Sequence, residues 1–121
     1  KKDTNDTRES AAIHVCRDLL DEGARLAIHD PKVPAATILE DLNLPAGSDR
    51  VQICADPQTA ADGAHAIAIL TEWDAFRSEH LDYAQLFKGM EKPAFLFDGR
   101  NILNLDAMRD IGFEAHGIGK A

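Results

Sequence analysis

Five cations sit in short polar runs of an otherwise acidic chain. Lys1, Lys2 and Arg8 lie in "KKDTNDTRES" (1–10), Lys32 in "HDPK" (29–32) and Arg100 in "DGRN" (98–101). A fourth run, "TEWD" (71–74), carries carboxylates and an indole. Ammonium and guanidinium groups concentrated in this way suit a phosphate or carboxylate ligand, the guanidinium as a planar fork and the ammonium as a point charge. The ligand must be held locally. Thirteen Lys and Arg face 21 Asp and Glu, a net charge of -8, so the chain has no general attraction for a nucleic-acid backbone and no nucleic-acid partner is expected.

Other chemistries find little support. There is no GxGxxG, and "GIGKA" at 117–121 lacks the spaced first glycine and the Ser/Thr of a phosphate-binding loop. Histidines 14, 29, 65, 80 and 116 are scattered without HxH or HxxxH spacing, so no metal site is expected. Cys16 and Cys54 form no CxxC and read as ordinary buried thiols of a reduced, cytoplasmic domain. No Ser-His-Asp or Cys-His arrangement has local support, and no catalytic residue is assigned. Trp73, the single tryptophan, has two readings: a stacking platform for a ring, or a residue packed over a sheet edge. The longest strongly apolar run, 64–70, contains His65 and is too short to cross a bilayer, so no membrane partner is expected.

The elements that must position these runs follow from periodicity. Ala12, Val15, Cys16, Leu19 and Leu20 repeat at helical spacing, with Asp6 and Glu9 resembling a capping box and Gly23 as the stop. Leu26 and Ile28 then mark a strand over 24–30, ended by Pro31. A helix fits 34–42, a strand 51–54 and a helix 57–62 closed by Gly63. "HAIAILT" (65–71) has the two-sided apolar character of a central parallel strand. A helix over 80–88, a strand over 94–98, a helix in "LNLDAMRDIG" and a last strand in "EAHGIG" complete the alternation.

Strand and helix alternating with short connections predict an α/β domain over residues 1–121: a doubly wound, mostly parallel, Rossmann-like three-layer sandwich. Parallel strands share a direction, so all four polar runs fall on the carboxyl-end edge, where open α/β sheets bind ligands. The helix that opens the chain should itself be a crossover from an earlier strand, for which no residues remain before Lys1. The sheet is therefore expected to lack its first strand, with a gap or altered pairing beside the 24–30 segment.

"KKDTNDTRES", "LLDEGARLAIHDPKV", "DGAHAIAILTEWDAF", "KPAFLFDGRNIL" and "IGFEAHGIGK" occur in this order over nearly the whole chain. Together they resemble the C-terminal, UDP-binding domain of the UDP-glucose 6-dehydrogenase family, part of a wider group that also acts on GDP-mannose and UDP-N-acetylmannosamine. The resemblance implies that Lys1 and Arg100 contact the nucleotide sugar, Arg100 in many members across a dimer interface, and that Arg8 contacts NAD. It also implies a parent reaction, oxidation of the sugar C6 alcohol to a carboxylate with two NAD, through a thioester on a cysteine of an upstream glycine-containing loop. Neither Cys16 nor Cys54 has that context. The isolated 121 residues are accordingly expected to be inactive, with a UDP-sugar, the rest of the parent enzyme and further copies of the chain as partners. Two other readings are a stand-alone nucleotide-binding regulatory module and a receiver-like phosphoacceptor; the second lacks the expected acidic pair after an early strand.

Overall fold

The structure, a computed structural model, describes residues 11–44 and 49–117. Helix α1 (Ala11–Asp21) leads to strand β1 (Leu26–Ile28), α2 (Ala35–Asp41), β2 (Val51–Ile53) and α3 (Pro57–Ala61). Strand β3 (Ala66–Ile69), a 3-10 turn (Asp74–Phe76), α4 (Tyr83–Lys88), β4 (Phe95–Asp98), α5 (Leu105–Ile111) and β5 (Glu114–Gly117) complete the order. The capping box expected at Asp6 and Glu9 lies outside the described residues.

Local chemistry accounts for the short helices. Asp56, Asp82 and Asn104 each stand in extended backbone before a helix and accept from the N–H three residues on, at 2.7, 3.1 and 3.1 Å. Each satisfies one of the donors that a helix start leaves unpaired. Helix α5 stops at Gly112, whose φ of +132° is the left-handed side of the map. A Cβ at that position would come within 2.5 Å of the Phe87 ring, so both backbone and space call for glycine.

All strand pairs are parallel, as expected of an α/β chain, yet the ladder is divided. β1 pairs with β2, with Leu26 opposite Val51; β3, β4 and β5 form a second sheet, with Ile67 opposite Leu96 and Leu96 opposite Ala115. Among the described strands, no ladder joins one sheet to the other. Two cores follow the division. Ile13, Val33, Ile38 and Leu42 close over β1 and β2 with Cys16, Ile28 and Ile53. The larger core joins Ala61, Tyr83, Leu86, Leu105 and Met108, carried by α3 to α5, to Ile69, Leu96 and Ala115 of the strands.

The 65–71 segment departs from expectation. β3 spans four residues and has β4 as its one neighbour among the described strands, with Ile67 and Ile69 turned toward the core and Ala66 and Ala68 exposed. The difference arises because alanine counts as apolar in a hydropathy reading but has too little surface to demand burial. The same face of β4 and β5 carries Phe97, 46% exposed, Glu114 and His116. The Phe97 ring stacks on Phe95 at 6.4 Å and on His116 at 5.6 Å.

Candidate functional site

The loops leaving β1, β3 and β4 contain "HDPK", "TEWD" and "DGRN", and the structure brings parts of all three together. Asp30, two residues past β1, uses one carboxylate oxygen to accept from the N–H groups of Lys32 (2.8 Å) and Val33 (3.0 Å). Its other oxygen accepts from the indole N–H of Trp73 at 2.8 Å. Trp73 is 3% exposed, so of its two readings the structure supports packing over the sheet edge, with its polar atom matched. His29 meets Phe76 edge-to-face, with centroids 6.0 Å apart, and its Nδ1 lies 3.1 Å from the carbonyl of Cys54, which follows β2. The carboxyl ends of β1, β2 and β3 are thus linked although no ladder joins β1 to β3.

Asp98 organises the loop after β4. It is 2% exposed, and its two oxygens accept from the backbone N–H groups of Arg100 (3.0 Å) and Leu103 (2.8 Å). A short acidic side chain that bends its own downstream backbone in this way forms an Asx turn. Gly99 N–H donates to the Ile69 carbonyl at 2.9 Å, tying the start of this turn to the end of β3. Asn101 takes a φ of +59°, a conformation asparagine tolerates better than most residues. The result is a tight turn that carries Arg100 to the surface, where its Nη2 donates to Glu72 Oε1 at 3.0 Å.

Of the residues singled out from the sequence, Arg100 and Lys32 are exposed on the described edge. Lys1, Lys2 and Arg8 lie outside the described residues. Sequence reasoning missed Asp30, Asp98 and Glu72. Asp-Pro at 30–31 and Asp-Gly at 98–99 are turn signals that could have flagged the first two. Glu72 pairs with a residue 28 positions away and had no local signal.

Four further groups, Cys16, Cys54, Asp56 and Tyr83, depart from their ordinary pKa values. Burial raises the Cys16 thiol above its ordinary range, and burial together with the Asp56 charge raises that of Cys54. Both are therefore poor nucleophiles at neutral pH. Hydrogen bonding from Thr59 above all lowers Asp56, the cap of α3. Burial, and secondarily the charge of Asp98, raise the Tyr83 phenol, whose O–H donates to the Phe76 carbonyl. Among the described residues, no three His, Cys, Asp or Glu side chains gather as metal ligands, and no helix is long and apolar enough to cross a membrane.

Comparison with known proteins gives this edge a context. Residues 1–105 match the UDP-glucose/GDP-mannose dehydrogenase family, UDP binding domain. A UDP-glucose 6-dehydrogenase of Pongo abelii is 49% identical over 128 residues, covering 99% of this chain and 26% of that protein. The Gallus gallus enzyme of the same name gives the same identity and coverage. UDP-glucose 6-dehydrogenase 4 of Arabidopsis thaliana is 44% identical over 135 residues, covering 99% of this chain and 28% of the relative. The chain thus spans about a quarter of the length of the curated relatives it matches.

Proposed function

Because the chain belongs to the UDP-glucose/GDP-mannose dehydrogenase family, its match lying in the UDP binding domain, we propose that it is the nucleotide-sugar-binding domain of a UDP-glucose 6-dehydrogenase. The observation that carries this reading is Arg100, held at the carboxyl-end edge by the Asp98 turn, where doubly wound sheets take their ligands. In this reading Lys1 and Arg100 contact the UDP-sugar and Arg8 contacts NAD. Lys1 is a compact charge for phosphate or hydroxyl oxygens, while the guanidinium of Arg100 offers planar, directional donors.

The parent reaction is the oxidation of the C6 primary alcohol of UDP-glucose to the carboxylate of UDP-glucuronate. Four electrons leave the sugar as two hydrides, each reducing one NAD, and water supplies the second carboxylate oxygen. NAD supplies the hydride-accepting ring when bound. The catalytic cysteine and most of the NAD site belong to other parts of the parent enzyme, so this chain contributes binding and orientation. Its partners are the UDP-sugar, the rest of that enzyme and further copies of the chain, in the cytoplasm. Neither nucleic acid nor membrane is a partner in this reading, in keeping with the net charge of -8.

Calorimetric titration of the chain with UDP, UDP-glucose, GDP-mannose and uridine tests the proposal. UDP should bind at least about tenfold more tightly than uridine, because charge-assisted hydrogen bonds to a diphosphate exceed those to a neutral nucleoside. UDP-glucose should bind more tightly than GDP-mannose. Equal binding of UDP and uridine would refute the assignment, whereas reduction of NAD by the isolated chain with UDP-glucose would refute only its expected inactivity.

A further inference from the structure

Resting on the nucleotide-sugar reading, we infer that Glu72 makes the Arg100 corner of the edge a subsite for sugar hydroxyls, leaving the diphosphate to other groups. Glu72 is thereby a specificity-determining residue. Arg100 Nη2 already donates to Glu72 Oε1 at 3.0 Å, so the guanidinium charge is matched before any ligand arrives. A phosphate placed on Arg100 would also lie beside the Glu72 carboxylate and be repelled by it. A sugar hydroxyl meets no such conflict, because it can accept from a remaining guanidinium N–H. A neighbouring hydroxyl can donate to a carboxylate oxygen, so adjacent hydroxyls match the donor-acceptor pair.

The pair also has more fixed ends than most surface ion pairs, which contribute little because two long side chains must be ordered to form them. The Arg100 end is tied by the two backbone bonds of buried Asp98 and by Gly99 N–H to the Ile69 carbonyl. The Glu72 end adjoins Trp73, which is buried and bonded to Asp30. The side chains themselves keep 38% and 35% of their surface in water, so a ligand can reach both. Buried anchors behind reachable polar groups are what an orienting subsite requires.

The test compares UDP with UDP-glucose on the chain and its variants, each checked for native circular dichroism. The unaltered chain should bind UDP-glucose about five- to tenfold more tightly than UDP, the worth of one or two hydroxyl bonds. Glu72→Ala and Arg100→Ala should each erase that increment, and the double variant should lose nothing more. Isosteric Glu72→Gln, which keeps an acceptor oxygen, should retain part of it. UDP affinity should stay within about twofold in Glu72→Ala, since the diphosphate is held elsewhere. An undiminished sugar increment in Glu72→Ala overturns the inference, as does an equal loss of UDP and UDP-glucose affinity in Arg100→Ala. Failure of the unaltered chain to bind UDP defeats the functional reading and this inference together, whereas UDP binding without a Glu72-dependent increment defeats the inference alone.

Discussion

The indole N–H of Trp73 and the carboxylate of Asp30, 2.8 Å apart, join loops that leave two different sheets. With no ladder between β1 and β3, this bond and the His29–Phe76 contact are side-chain links holding the two strand ends together.

Trp73→Phe keeps most of the buried ring and removes the donor. It should destabilise the chain by about 1–2 kcal/mol in urea unfolding followed by circular dichroism. Because Asp30→Ala removes the same bond, the double variant should lose less than the sum of the singles. Additive losses would show that the bond does not couple the loops.

Asp98→Ala should do greater harm. It leaves the N–H groups of Arg100 and Leu103 without their carboxylate acceptor at a buried position and releases the turn that carries Arg100. A loss of about 2–4 kcal/mol is expected in urea unfolding, with UDP-glucose affinity falling even in the fraction that stays folded. Wild-type affinity in a folded Asp98→Ala chain would remove Asp98 from the account of the site.

Gly112→Ala places a methyl group 2.5 Å from the Phe87 ring and puts an L side chain at φ +132°. Strain and overpacking together should cost about 2–4 kcal/mol, read as a fall in thermal midpoint. An unchanged midpoint would mean that Phe87 and the backbone relax freely.

Alkaline stability should report on Tyr83. Burial and then the Asp98 charge raise its phenol, so the unfolded chain loses this proton first, at its ordinary value of about 10. Above that pH the folded state binds more protons than the unfolded state, and stability falls as pH rises; below it the group contributes no slope. Tyr83→Phe should flatten the decline above about pH 10, whereas an equally steep decline in that variant would place its origin elsewhere.

The two cysteines give a kinetic reading of opening. Their raised thiols should be alkylated by iodoacetamide at pH 7 at least about tenfold more slowly than free cysteine, and at the free rate in urea. Fast labelling of the native chain would contradict the protection expected of half-buried Cys16 and buried Cys54.

The sequence made some of this legible because some signals are local. Leu and Ile spacing marked the alternation of elements, and Gly23 and Gly63 marked helix ends, whereas the caps Asp56 and Asn104 were not singled out. The strand read over 24–30 shrinks to Leu26–Ile28, since a strand extends only where a neighbour supplies ladder bonds. Arg100 was found from its motif, but its partner Glu72 was not, because their distance depends on β3 lying beside β4. Likewise Asp-Gly at 98–99 announces a turn without revealing that the carboxylate inside it is buried.

The exposed Phe97, stacked between Phe95 and His116 on a strand face, bears on how the protein behaves in solution. Exposed rings favour contact with other apolar surfaces, and at low ionic strength a net charge of -8 opposes the approach of further copies of the chain. Salt shortens the reach of that repulsion without weakening attraction between rings. The colloidal stability of this acidic chain should therefore decline as ionic strength rises, which light scattering across a salt series would read.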